Sequence, residues 1–503
     1  MRKKQPLFLL MGLLLIVGLF TTINLSAQTF DKMKAQVKEN TLKNGMTFLV
    51  VERHDAPVVS FHVYANVGSA NETDGITGIS HLLEHMAFKG TTTVGTQNYK
   101  SEKDLLDRMD ILYDQINLEK QRLNPDTTAL AEMKETFESL QKQAKELVIN
   151  NEYFDMMMRQ GDAGINAYTS CDATQYINSL PSNKLEFWMA MTSDRFLNPV
   201  FREFYKEKDV VMEERRLSLE SQPVGKLIED FVATAFKAHP YHHSVLGHMS
   251  DLRRITRHDV IDYFQRFYGP SNLTVAIVGD VKADKVFQLA KLYFGRIPGG
   301  NKPEPLRTVE PEQWGERRAT VVAKSQPILI MGYHRPAETH EDDAVFEALA
   351  NIIGQGRSSR LWELLVKKEK VAAQVGSMNG WPGSKYPNLI AFFAISSKDH
   401  TSEECLKLID EEIQKIKAES ITDAELTKYK RTAKKGILDR MQSNSGLAAM
   451  LTHAEVVLGD WSALFNQIEK IEAVTADDIR RVANQVLDDM NRTIGEIIPE
   501  TSL

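Results

Sequence analysis

The 503-residue chain contains the stretch GISHLLEHMAFKG from Gly78 to Gly90, in which His81 and His85 are four apart and Glu84 adjoins the second of them. On a helix, residues four apart share a face and residues three apart lie beside them. One helix can therefore aim both imidazoles at a single metal ion and bring the Glu84 carboxylate close to a water on that ion. Two imidazoles and one carboxylate suit zinc, with the fourth position kept for water. Zinc lowers the pKa of that water from about 15.7 to about 7, and a neighbouring general base then makes hydroxide available at neutral pH.

A third ligand has to come from elsewhere. FYKEKDVVMEERRLSLE, from Phe204, reads as helical and offers Glu207, Glu213, Glu214 and Glu220. Glu207 and Glu214 are seven apart, two turns along one face. Spacing leaves all four open, and an acidic surface helix is the ordinary fate of such a segment. The histidine pair has an ordinary reading too. With 13 histidines in 503 residues, a random H-x-x-E-H arises with a probability on the order of a few per cent. His239, His242 and His243 form a second cluster whose ordinary reading is core or solvated histidine. Cys171 has no assigned base, so a thiol nucleophile has no support. Cys171 and Cys405 give no disulfide framework and no cysteine-type zinc motif.

These side chains need elements to hold them. Leu42 to Phe61 alternates as strands do, with Asn44-Gly45 as the favoured two-residue hairpin turn. The motif helix follows, with Thr77 as its expected cap and Gly90 as its stop. From about residue 100 to 152 the chain is charged, with apolar residues at helical spacing, broken by Asn124-Pro125-Asp126. This predicts a helical hairpin, read as a solvated insertion without a catalytic part.

Internal repetition sets the larger frame. ITRHDV begins at Ile255 and NLTVAIV at Asn272; VTADDI begins at Val474 and NRTIGEII at Asn491. The offsets agree, Thr256 to Asn272 matching Thr475 to Asn491, so each half ends with a helix and then a strand. A stretch rich in Pro, Gly and charge at 296–317 reads as a linker. The expected class is α+β, with two homologous α/β-sandwich halves at 28–295 and 318–503. No dinucleotide or phosphate-binding glycine motif is present.

The length calls for more than one domain. The formal net charge of -7 speaks against a nucleic-acid partner. Arg2, Lys3 and Lys4 precede the short apolar run Leu7–Phe20, and LSA ends at Ala27. This is the layout of a cleaved signal peptide over 1–27, implying export, with the periplasm the expected compartment and a surface location or uncleaved anchor the alternative.

HLLEHMAFKGT, NAYTSCDATQY from Asn166, EKDVVMEE from Glu207, HPYHHSVLGHMSDL from His239 and GQGRSSRL from Gly354 occur in that order. Together they resemble the pitrilysin family (M16) of inverted-zincin metallopeptidases, in its processing-peptidase-like subgroup, over nearly the whole chain. H-x-x-E-H, the reverse of the thermolysin order, is a recognised signature. The resemblance implies one zinc per chain, with His81, His85 and Glu214 as ligands and Glu84 as general base. It implies that Glu207 supports the ligands from behind, and that Asn166 and Ala167 lie on a strand whose edge receives the peptide by β-augmentation. Tyr168, Thr169 and Ser170 share that strand without assigned roles. His85 to Glu214 is longer than the usual family spacing, and the 100–152 insertion accounts for the excess. The Arg and Tyr that active members place in the second half are missing: Val366 and Ala373 stand there, and Arg360 belongs to a separate element. A zinc metalloendopeptidase acting on unstructured peptides is expected, working with an Arg/Tyr-bearing second chain or as a homodimer. The alternative is a non-catalytic structural or binding subunit.

Overall fold

The computed structural model describes residues 32–500, so the expected signal segment lies outside the described residues. Two sheets organise the chain. The first contains β1 (Val37–Thr41), β2 (Thr47–Glu52), β3 (Val58–Ala65), β4 (Asn166–Thr169), β5 (Thr174–Pro181) and β6 (Leu273–Gly279), in the order β1-β2-β6-β3-β5-β4. The second contains β7 (Arg317–Ala323), β8 (Ile328–Arg335), β9 (Ala372–Trp381), β10 (Asn388–Ser396) and β11 (Arg492–Pro499), in the order β7-β11-β8-β10-β9. β1 and β2 form the antiparallel hairpin expected around Asn44-Gly45.

In the first half the chain adds α1 (Ile79–Met86), α2 (Tyr99–Lys120), α3 (Thr127–Leu147), α4 (Phe204–Arg215), α5 (Pro223–Ala235) and α6 (Arg257–Phe267). In the second half it adds α7 (Asp343–Gly354), α8 (Asn444–His453) and α9 (Ala476–Val486), besides other helices.

The sequence repeat is a repeat of structure. β6 pairs in parallel with β2 and antiparallel with β3, and β11 does the same with β7 and β8. Thr256 and Thr475 cap α6 and α9, and Asp259 and Asp478 return the bond to the cap backbone. Such boxes satisfy donors that a helix start leaves open. Asn272 Nδ2 donates to the Phe267 and Asn66 carbonyls; Asn491 Nδ2 donates to those of Val486 and His334. In each half one asparagine ties the end of the helix before the closing strand to the chain at the neighbouring strand; the first half then adds a further helix, Ala283–Tyr293, where the repeat alone predicts an end.

Each sheet is buried on both faces, and the second cover comes from the other half. Phe48 and Val50 of β2 pack with first-half helices, while Leu49 and Val51 join the core of the second half. There α8 lies against β3 and β6 and contributes Leu447, Ala448 and Leu451. Reciprocally, α5 lies against β7 and β11 and places Leu227 and Phe231 on Ile328, Ile330 and Ile497. A Cβ at Gly332 or Gly495 would come within 2.7 or 2.8 Å of the Phe231 ring. Glycine at both positions lets α5 approach its sheet closely. Between the halves, Glu310 of the 296–317 segment accepts the backbone N–H groups of Lys237, Ala238 and His239.

α2 and α3 form the helical hairpin, capped by Asn98 and Asp126. Its far end is solvated, with Leu118 and Leu123 exposed. Its root is not. Glu102, Leu106 and Asp110 are buried, and Asp110 accepts from Tyr205 of α4 and Arg257 of α6. The hairpin thus braces α4, a contact that the reading of a solvated insertion lacked. No helix among the described residues is long and apolar enough to cross a membrane.

Candidate active site

α1 begins differently from expectation. Its N-cap is Gly78 rather than Thr77. The N–H groups of Gly78 and Ser80, which the helix start leaves without a partner, are taken by the buried Glu72 carboxylate, at 2.7 and 2.8 Å. Thr77 instead donates to Asp251 and accepts from the His248 backbone. Leu82, Leu83 and Met86 anchor α1 in the first-half core, leaving His81, Glu84 and His85 half-buried on the opposite side. Helix periodicity and the apolar stripe together fix which face carries these three side chains.

α4 faces α1. His81 Nε2 and His85 Nε2 lie 3.9 and 3.6 Å from Glu214 Oε2. One donor atom from each of these three residues falls within 4.8 Å of the others; among the described residues they are the one group of three or more metal-ligating side chains that converges. Glu213 turns away to pair with Arg216, and Glu220 lies beside Arg215. Of the four glutamates that spacing left open, Glu214 is the one brought to both histidines.

Glu207 stands behind them, with Oε2 3.7 Å from His85 Nδ1. A carboxylate on Nδ1 leaves Nε2 for a metal, the usual arrangement behind a ligating histidine. Lys89, in the motif but without an assigned role, meets Glu207 at 2.5 Å and Glu203 at 3.3 Å. Burial raises the Glu207 pKa, but its bonds to His85 and Lys89 outweigh this and hold it at about 2. The same Glu207 bond is the main cause that raises His85. Burial brings His81 down to about 4, so its imidazole is neutral, the form that binds metal. The donor set, the neutral His81 and the carboxylate behind His85 all fit zinc.

Behind α1, Arg202 and Glu102 form a fully buried pair at 2.8 Å. Arg202 also donates to the Lys89, Thr91 and Val94 carbonyls. It shapes the loop after α1. The helix ends at Met86 with Ala87 as its C-cap; Gly90, the expected stop, lies beyond the helix end and turns the loop at φ +97°.

Glu84 points beside the ligand group and accepts a 2.6 Å hydrogen bond from Thr169 Oγ1 of β4. Burial raises its pKa, which suits a base. β4 is an edge strand, paired with β5 on one side only, and Asn166 and Ala167 lie on it. The sequence could not link Thr169 with Glu84, because 85 positions separate them.

The second-half positions are structural. Val366 packs on the second core, and Ala373 is exposed on β9. Arg360 is held by Glu425 at 2.7 Å and Glu412 at 3.2 Å. Cys171 and Cys405 are free and buried, and burial pushes the Cys171 thiol up to about 12. His239 and His243 are buried, and His239 Nδ1 accepts from the Tyr241 backbone.

Residues 47–107 and 149–248 match the family model described as insulinase (peptidase family M16), and residues 254–433 match the one described as peptidase M16 inactive domain. The chain belongs to peptidase family M16. The break between the first two matched segments falls on the helical hairpin. A Helicobacter pylori protein named zinc protease PqqE is 29% identical over 461 residues, covering 90% of each chain. The crystal structure of a protease from Helicobacter pylori superposes with a TM-score of 0.77 at 28% identity, covering 92% of this chain and 99% of that one. The periplasmic protease PqqL from Escherichia coli shares the fold, with a TM-score of 0.68 at 17% identity, covering 92% of this chain and 47% of that one.

Proposed function

We propose that this protein is an exported zinc metalloendopeptidase that hydrolyses unstructured peptides. The observation that carries the reading is the convergence of His81, His85 and Glu214 beside Glu84 and a free strand edge. His81, His85 and Glu214 would hold one zinc ion, with Glu207 orienting His85. When bound, zinc supplies Lewis-acid polarisation of a carbonyl and acidification of water.

The chain's own residues supply the rest. An extended peptide adds to β4, where backbone hydrogen bonds at Asn166 and Ala167 give affinity without demanding a side-chain sequence. Glu84 takes the proton of the attacking water and later gives it to the leaving amine. Folded substrates lack a free extended backbone, which supports unstructured peptides as the class. The basic, then apolar N-terminus supports export, and a periplasmic protease of the same fold supports the periplasm.

Val366 and Ala373 supply neither guanidinium nor phenol, and Arg360 is committed to Glu412 and Glu425. This favours a second M16-type chain, or a second copy, as the source of groups that hold the substrate. The test is cleavage of a quenched, unstructured peptide pool by zinc-loaded protein, alone and with an Arg/Tyr-bearing partner, with Glu84→Gln as control. Cleavage lost in the variant supports the peptidase. Zinc binding without cleavage under either condition means a binding subunit.

A further inference from the structure

The hydroxyl of Thr169 has one hydrogen to give. Thr174 Oγ1, its cross-strand neighbour at 3.4 Å, donates to the Val67 carbonyl at 3.1 Å. The Thr174 oxygen could still accept from Thr169, but the Glu84 carboxylate can only accept and lies far closer, at 2.6 Å, so it takes the Thr169 hydrogen. This is the length of a charge-assisted O–H···O⁻ bond. It crosses from β4 to α1, between two elements that belong to different parts of the site. β4 is the edge offered to the peptide, and α1 carries the base.

We propose that Thr169 is a positioning residue: its hydroxyl holds the Glu84 carboxylate in the orientation that accepts the water's proton, and it ties that orientation to the strand on which the peptide lies. The inference rests on the hydrolytic reading given above. A carboxylate has several lone-pair directions and rotates freely about its last bond. Fixing one oxygen aims the other. Because Thr169 lies on the pairing strand, a peptide that straightens β4 also sets Glu84. Ser170 and Asp172 keep the end of this strand in place. Ser170 N–H donates to the Ala173 carbonyl, and Asp172 accepts from Tyr241 and from the Ser384 and Lys385 backbone of the second half.

A purely structural role for Thr169 predicts different behaviour, and conservative variants separate the two. Thr169→Ser keeps the hydroxyl; Thr169→Val keeps the β-branched shape that strands favour and removes it. In steady-state cleavage of a quenched peptide, Thr169→Val is expected to lower kcat by about 10- to 100-fold, part of what general-base catalysis supplies, with KM within about twofold. Thr169→Ser should stay within about threefold of wild type. In a Glu84→Gln background, Thr169→Val should lower the residual rate no further. Binding of a fluorescent peptide to metal-free protein, read by anisotropy, should be the same for both variants and wild type. Zinc content should also be unchanged. Should Thr169→Val not fold, Thr169→Ala replaces it with the same expected loss. The inference is overturned if wild type cleaves and the valine variant matches its kcat, if serine loses as much as valine, or if the loss appears in peptide binding. Wild type indistinguishable from Glu84→Gln, both alone and with the Arg/Tyr-bearing partner, overturns the hydrolytic reading itself, and this inference with it.

Discussion

The two halves repeat one fold and treat equivalent elements in opposite ways. In the first half, the helix that follows β3 is α1, and its outward face carries His81, Glu84 and His85. In the second, the helix that follows β8 is α7, DAVFEALANIIG, with Leu349, Ile352 and Ile353 buried in the second core. Where the first half presents imidazoles, the second packs aliphatic side chains. The matched family model for most of the second half is described as an inactive domain, in keeping with this contrast. The shared scaffold therefore does not carry the chemistry. On the proposed reading, the chemistry lies in a few side chains placed on one copy of it.

The sharpest way to break this comparison is a matched pair of substitutions. His85→Ala should lower cleavage by about 10³-fold or more while shifting thermal stability little, since the side chain is only part-buried. Ile353→Ala should cost about 2–5 kcal/mol of stability and leave kcat per folded molecule unchanged. Peptide turnover and thermal melts on both proteins check this. An Ile353 variant that folds normally yet loses kcat would show that the second half takes part in the chemistry.

A second substitution asks whether support for the site is as localised as the site. Arg202→Met leaves Glu102 buried without its partner and three loop carbonyls without their donor. Losing one member of a buried pair costs about 3–5 kcal/mol. The loop after α1 should loosen, read as faster amide exchange over residues 89–95 and weaker zinc retention.

A smaller effect comes from the seam. His62 of β3 is buried, and its Nδ1 lies 2.7 Å from Thr452 Oγ1 of α8. Burial lowers its pKa to about 4, against about 6.5 when unfolded. The folded pKa is depressed, so the unfolded state binds the proton first as pH falls. The stabilisation is present in full above about pH 6.5 and is lost as pH falls through about 4, amounting to about 3 kcal/mol. Burial lowers His239 and His243 to about 4 as well, adding to the same window. Denaturant midpoints should fall from pH 6.5 to 4, and His62→Gln should remove one histidine's share of that slope.

Much of this was legible in the sequence where the determinants are local. The hairpin forms around Asn44-Gly45, and the spacing of His81 and His85 puts both on one face; the turn is one residue longer than the expected two-residue kind, with Gly45 N–H donating to the Leu42 carbonyl and Leu42 N–H to that of Met46. Local signals also misled: Thr77 suits a cap, but Glu72, six residues before the Gly78 N-cap, takes that role because it is buried against the open N–H groups. Residue spacing could not choose between Glu213 and Glu214, whose difference is which side of α4 meets α1. The exchange of α5 and α8 between halves, and the bond from Thr169 to Glu84, depend on contacts between distant segments. Periodicity carries no record of those.

The most direct test of the central claim is metal stoichiometry by elemental analysis of purified protein after zinc loading and desalting. One zinc per chain is expected in wild type and in Glu84→Gln, and none retained by a His81→Ala/His85→Ala/Glu214→Gln protein that still melts cooperatively. Zinc retained at one per chain in that triple variant would contradict the claim, placing the metal elsewhere and removing the reason for assigning the chemistry to the first half.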